Sequence, residues 1–303
     1  MTMKNEKVDD DGKRDGSKAT AADNSTNNGL WGSDMYPERR GAKKSRSWFR
    51  MMLGFEGRES IDNIKCEDNV YKCIKDSPII KLMLGALKNS GCEIDIRRHI
   101  SCEVCNPAVT GGYDSELNQV VVCQNMVYRK NVVRGILLHE MIHMFDYCRN
   151  KLDMKNIDHL ACTEIRAANI GHCSFISSML QGNSSFINIK ATHQNCVKQK
   201  AKFSIMAVHE VSAEVAEAAI GRVFTKCYND LEPVGRRIRR NSDDMPRAYA
   251  EAHLYGYQMI KFRELWKIMD YFDIFTKKKI WQKITLCMDF NFETLWMLLS
   301  ISL

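Results

Sequence analysis

No apolar run in this sequence is long enough to cross a lipid bilayer. The longest uncharged stretch near the C-terminus, Thr294–Leu303, has ten residues, whereas a spanning helix needs about 20. Residues 1–29 contain Val8 as their only branched aliphatic residue and no aromatic residue, so a secretory signal peptide is not expected. Acidic residues are frequent in the same stretch, which disfavours a mitochondrial transit peptide.

Cysteine, in contrast, is abundant. The chain has 303 residues, 12 of them cysteine, and all but one of these lie between Cys66 and Cys227. So many cysteines in one segment indicate disulfide bonds or a metal site. If the chain is oxidised in its compartment, we expect a route other than these two presequences to take it there. The net charge of +7 is a mild excess and by itself identifies no partner.

The residue pattern divides the chain into three parts. Residues 1–60 are polar and then basic, which predicts a disordered arm. Residues 61–257 show the periodic apolar positions of a globular domain. Residues 258–303 are rich in aromatic side chains, and this C-terminal extension could pack on the domain or lie on a membrane surface, with packing favoured.

Within the domain, helices are predicted to dominate beside one small sheet. The apolar spacing of Ile79–Leu87 predicts a helix, and Val211–Cys227 predicts a second one that packs in the core. Alternation in Glu93–Cys102 and the valines of Gln119–Cys123 predict two strands. The turn residues Thr110–Ser115 lie between them and favour an antiparallel pair. The predicted fold class is therefore α+β, mainly helical with a small antiparallel sheet.

The most informative motif is an HExxH pattern within a helical, apolar run. His139 and His143 are four residues apart and thus lie on one helical face, where both imidazoles can reach a single zinc ion. Glu140 is adjacent and is positioned to take a proton from the attacking water. The alternative is a buried helix whose histidines only satisfy hydrogen bonds. We expect the zinc site, with His139 and His143 as ligands and Glu140 as the catalytic residue.

A catalytic zinc usually has three protein ligands and one open position. Asp146 lies about 10 Å along the helix axis from His139, which is too far for a shared ion, so we expect it to orient His143 instead. Glu164, on a second predicted helix, is the expected third ligand, and His159 on the same helix is its rival. The alternative for Glu164 is a salt-bridging surface carboxylate.

A second, structural zinc site is conceivable at the CxxC motif. Cys102 and Cys105, together with Cys123, would supply three thiolates. No fourth ligand is evident, and in an oxidising compartment these residues would form disulfides, whose pairing the spacing does not reveal.

An ordered series of motifs between about residues 65 and 257 resembles a known family: the mitochondrial intermembrane-space metalloproteases that mature an ATP synthase subunit and assist assembly of that complex. Animal members have also been called Ku-binding proteins. The motifs are His139-Glu140-x-x-His143-x-Phe145-Asp146-x-Cys148-Arg149, His159 to Asn169, Cys102-x-x-Cys105, Gly111-Gly112-Tyr113-Asp114, Cys123-Gln124-Asn125, His193-Gln194-x-Cys196-Val197 and Cys227 to Pro233.

The resemblance implies a zincin-like metallopeptidase with zinc as cofactor, His139 and His143 as metal ligands and Glu140 as the catalytic residue. It also implies a protein substrate, the precursor of an ATP synthase subunit. The implied location is the mitochondrial intermembrane space, peripheral to the inner-membrane surface, which suits an oxidised chain imported without a cleaved presequence. Nucleic acid is not an expected partner. His172 stands where the family usually has an acid, and Met154 where it usually has tryptophan.

Three functions follow as hypotheses. The first is a zinc endopeptidase whose extended substrate pairs with an edge strand, for which Gln119–Cys123 is the candidate. The second is a non-proteolytic assembly factor that retains a zinc site. The third is a nuclear partner of a DNA-repair factor that binds through the basic residues 39–50.

Overall fold

The structure is a computed structural model, and it describes residues 59–127, 129–173, 189–239 and 242–258. The predicted arm at residues 1–60 lies outside the described residues except for its last two, with which the first helix begins. The predicted extension at residues 258–303 also lies outside them except for Gln258. The basic run at residues 39–50 is not described either.

Helices make up most of the described chain. Eight α-helices are described, and they are followed in two places by a short π-helical or 3₁₀ turn. They are α1 (Glu59–Asp76), α2 (Pro78–Asn89), α3 (Ile96–His99), α4 (Lys130–Arg149), α5 (Ile157–Ala167) with the π-helical turn Ala168–His172, α6 (Ile189–His209), α7 (Ala213–Asn229) and α8 (Asp244–Glu251) with the 3₁₀ turn Ala252–Tyr255. No helix among the described residues is both long and apolar enough to cross a membrane.

Helix α4 lies at the centre of the larger hydrophobic core. It packs against α1, α2, α5 and two strands of the sheet, so most of its circumference is buried. Leu137, Met141 and Phe145 are at most 1% exposed. Because these apolar side chains lie in the core, the polar residues of the HExxH segment between them are also held inside the protein.

The three described strands form a mixed sheet. They are β1 (Ile100–Glu103), β2 (Gly111–Asp114) and β3 (Gln119–Cys123), in the order β1-β3-β2. β1 and β3 are parallel, with Ile100 opposite Val120, whereas β2 and β3 are antiparallel. The α+β class is thus confirmed. The predicted strand Glu93–Cys102 is wrong over most of its length, because Ile96–His99 form α3 and only its last three residues belong to β1. The prediction of an antiparallel pairing between β1 and β3 is also wrong. The reason is that the chain makes a strand between them and reverses twice.

That extra strand lies where the sequence predicted a turn. The turn itself falls later, at residues 115–118, where the Asp114 side chain accepts hydrogen bonds from the backbone of Glu116 and Leu117, and Asn118 has a φ of 50°. Because β3 is the central strand, it also cannot be the edge strand that was predicted to bind substrate. The edges of this sheet are β1 and β2.

Helices α5, α6 and α7 form a second layer with its own core. The predicted helix at Val211–Cys227 is confirmed as α7, and Ala216, Ala219 and Ile220 on it are buried. Val215 on the same helix is 48% exposed, so α7 buries one face and leaves another in solvent.

Five disulfide bonds connect these elements. The pairs are Cys66–Cys102, Cys92–Cys148, Cys105–Cys123, Cys162–Cys227 and Cys173–Cys196. Cys102 and Cys105 thus belong to two different bonds, and the possible zinc site at the CxxC motif is wrong because its thiols are consumed. Among the described residues, Cys73 keeps a free thiol, which is buried. The number of cysteines predicted disulfide bonds, and the structure supplies their pairing.

Candidate active site

The two histidines of the HExxH motif lie side by side on α4. Their Nε2 atoms are 3.1 Å apart, and both rings project from the same helical face toward α5. Glu164 on α5 meets them there: its Oε2 lies 3.4 Å from His139 Nε2 and its Oε1 lies 3.5 Å from His143 Nε2. Two nitrogens and a carboxylate from two helices thus converge on one small volume.

This cluster is shielded from solvent. The side chains of His139, His143 and Glu164 are 14%, 7% and 8% exposed. Burial lowers the pKa of His143 to about 4, so this imidazole is neutral at physiological pH and can offer a lone pair. Burial opposes ionisation of Glu164, but the adjacent His143 and His139 outweigh it and lower its pKa to about 2. The cluster therefore holds a carboxylate beside a neutral imidazole.

The donor atoms of these three residues all lie within 4.8 Å of one another. Among the described residues, they form the cluster of metal-ligating side chains that could hold an ion. Glu164 Oε2 is buried without a hydrogen-bond partner. An unsatisfied carboxylate oxygen in a protein interior is costly, and a cation shared with two imidazoles would satisfy it. The donor set of two nitrogens and one oxygen fits zinc.

Glu140 lies on the side of the cluster that faces the sheet. It is 8% exposed, and a Cβ atom placed on Gly111 of β2 would lie 3.8 Å from Glu140 Oε1. Burial, together with the charge of Glu164 and against that of His139, raises the pKa of Glu140 to about 7. A carboxyl group of this pKa can both accept and return a proton near neutral pH.

Asp146 lies one helical turn beyond His143, at the position predicted for an orienting residue. It does not touch His143 directly. The Thr163 hydroxyl stands between them, 2.9 Å from His143 Nδ1 and 2.7 Å from Asp146 Oδ2. Arg166 forms a buried ion pair with the same carboxylate. The rival ligand His159 is outside the cluster, at the start of α5, where its Nδ1 accepts a hydrogen bond from the backbone of Asp153.

Three residues near the cluster were not selected from the sequence. Thr163 and Arg166 flank Glu164 on α5, and His172 packs edge-to-face on His139 with the ring centroids 4.7 Å apart. The π-helical turn Ala168–His172 extends α5 and brings this ring against His139. Thr163 and Arg166 do lie within a quoted motif, so proximity to Glu164 along one helix was the available signal.

A family of peptidases matches the part of the chain that contains this cluster. Residues 64–235, more than half of the chain, match the peptidase M76 family. The chain belongs to the peptidase M76 family. This match includes α4, α5 and the whole sheet, so every residue of the cluster lies within the M76 segment. No solved structure matches the chain.

Curated relatives of the chain are also named as proteases. The human "mitochondrial inner membrane protease ATP23 homolog" is 42% identical over 185 residues, which are 60% of this chain and 74% of the relative. The proteins of the same name from Danio rerio and Xenopus laevis are 40% and 37% identical, with 68% and 73% of this chain covered and 78% and 91% of the relatives. These names support a protease role for the M76 segment.

Proposed function

We propose that this chain is a zinc-dependent endopeptidase. The observation that carries the proposal is the convergence of His139, His143 and Glu164 from two packed helices, with Glu140 beside them. The M76 membership supports the peptidase part, and the nature of the three donors supports zinc as the metal. Two histidines and a glutamate are the ligand set of zincin-type peptidases, and we propose a zincin-type active site for this chain.

In this proposal His139, His143 and Glu164 hold the ion. A bound zinc ion would supply Lewis-acid activation of water and of the scissile carbonyl. Glu140 accepts the proton of the attacking water and then delivers it to the nitrogen of the leaving amine. Its burial serves this role because a carboxyl group away from bulk water exchanges its proton with the reacting atoms. Asp146 acts at a distance, by orienting His143.

The extended substrate is proposed to lie beside β2. One side of β2 is bonded to β3, and β2 is an edge of the described sheet. Gly111 on this strand packs closely against α4 near Glu140. A peptide bound along this strand would therefore run past the catalytic carboxyl group.

For the substrate and location, we propose the precursor of an ATP synthase subunit and the intermembrane-space side of the mitochondrial inner membrane. The relatives named as mitochondrial inner membrane proteases support the location. The five disulfides support an oxidising compartment. We propose assistance to complex assembly as a second role of the same chain.

The experiment measures bound zinc and peptidase activity on the purified chain. His139→Ala should lose the single bound zinc ion and the activity, whereas His159→Ala, the matched control on the rejected histidine, should retain both. Glu140→Gln should bind zinc but lose about 100-fold or more of the activity, as expected for removal of a general base. Unchanged processing by Glu140→Gln would refute the proposed base. If Glu140→Gln instead abolishes processing and leaves complex assembly intact, the two roles are separate.

A further inference from the structure

The Thr163 hydroxyl bridges a proposed metal ligand and a buried carboxylate. Its oxygen lies 2.9 Å from His143 Nδ1 and 2.7 Å from Asp146 Oδ2. As whole residues, Thr163, Asp146 and His143 are 1%, 3% and 5% exposed, so bulk water does not compete for these contacts. The Thr163 hydroxyl of α5 thus connects two side chains of α4.

The direction of each hydrogen bond in this chain follows from the proton count. A hydroxyl has one proton to donate, and a carboxylate can only accept. The Thr163 proton therefore points to Asp146, which leaves a lone pair of the same oxygen toward His143. His143 must then donate from Nδ1, because two acceptors cannot form a hydrogen bond.

This argument requires that Asp146 is ionised, and Arg166 provides the reason. Its guanidinium pairs with Asp146 and also lies 3.1 Å from Asp230 Oδ2. It donates a further hydrogen bond to the backbone carbonyl of Glu232. Arginine stays protonated in proteins, and this one is 4% exposed. A buried cation held from three sides keeps the carboxylate charged and in place.

We propose that Thr163 is a positioning residue that fixes the His143 tautomer, with the proton on Nδ1 and the lone pair on Nε2. Nε2 is the atom that faces His139 and Glu164, so the chain Arg166–Asp146–Thr163 prepares His143 as a ligand. This inference rests on the proposed function only in that the tautomer would serve zinc binding. The tautomer itself is a property of the chain without any metal.

The first test is nitrogen NMR on the metal-free, oxidised chain with labelled imidazoles. The His143 signals are assigned by their loss in His143→Asn. We expect the proton on Nδ1 and a bare Nε2 at neutral pH. A proton on Nε2 in the wild-type chain would overturn the proposal. Because this measurement needs no Thr163 variant, it decides the tautomer even if that variant fails to fold.

The second test measures affinity for zinc alone by chelator competition. Thr163→Val, which keeps the shape and removes the hydroxyl, should weaken zinc binding by about 10- to 100-fold and lose the single tautomer. Thr163→Ser restores the hydroxyl and should bind zinc like the wild type. Thr192→Val, which removes the hydroxyl of another buried threonine on α6, should leave both readouts unchanged. Unchanged affinity and tautomer in Thr163→Val would refute the proposal.

These outcomes separate this inference from the proposed function. A chain with the expected tautomer and Thr163-dependent zinc binding, but no peptidase activity, would retain the inference and refute the endopeptidase. A wild-type chain that binds no zinc would also refute the endopeptidase, and the nitrogen assignments would then decide the tautomer alone.

Discussion

Replacing Gly111 with alanine tests how closely β2 must approach α4. A Cβ atom at this position would lie 2.4 Å from Ile136 Cγ2 and 2.8 Å from the Val121 carbonyl oxygen. The first neighbour is a buried side chain and the second is backbone of the central strand, so neither can move aside without disturbing the core or the sheet. Overpacking of this kind costs about 1–3 kcal/mol.

We therefore expect Gly111→Ala to lower the free energy of unfolding by about 1–3 kcal/mol. It should also displace β2 from Glu140, and a shift of 1 Å or so at an active site can lower activity by roughly 100-fold. Urea unfolding followed by far-UV circular dichroism measures the first effect, and peptide cleavage measures the second.

Gly135 on α4 is the matched control, since a Cβ atom there would meet nothing within 4 Å. Alanine is the better helix former, so Gly135→Ala should stabilise the chain by about 0.5–1 kcal/mol. In a double-mutant cycle, Gly111→Ala should cost less in an Ile136→Ala background, by about 0.5 kcal/mol or more. If Gly111→Ala matches the wild type in stability and activity, the close approach of β2 to the catalytic helix is wrong.

Two other predictions concern stability. The disulfide Cys162–Cys227 connects α5 to α7 across 65 residues, and the chain entropy of such a loop stabilises the fold by about 4 kcal/mol. The double variant Cys162→Ala/Cys227→Ala should therefore lose about 4 kcal/mol of unfolding free energy in chemical denaturation. A loss within error of zero would contradict this. For Glu232, burial opposes ionisation, but Arg149 lowers the pKa of its carboxyl group below the ordinary value. Its stabilisation is therefore complete above about pH 4.3 and lost as pH falls through the lowered pKa. Glu232→Gln should cost about 1 kcal/mol or less at neutral pH and converge with wild type in acid; a gap that does not close in acid would refute this.

The sequence by itself determined the local part of the candidate site. A spacing of four residues in a helix places His139 and His143 on one face whatever surrounds them, because the helical repeat is set by the backbone. The apolar run around the motif likewise predicted a buried helix, and the abundance of cysteine indicated disulfide bonds. The identity of the M76 family was also readable from the order of the motifs.

The relations between distant segments were decided only by the tertiary structure. Three predictions were wrong: the antiparallel pairing of β1 with β3, the edge position of Gln119–Cys123 and the possible zinc site at the CxxC motif. Strand order and disulfide pairing depend on long-range contacts, which no local spacing encodes. The sequence indicated that Asp146 serves His143, and the structure places the Thr163 hydroxyl between them. Glu164 follows the same division: its residue type made it a candidate ligand, and the packing of α5 on α4 brought its carboxylate to the two imidazoles.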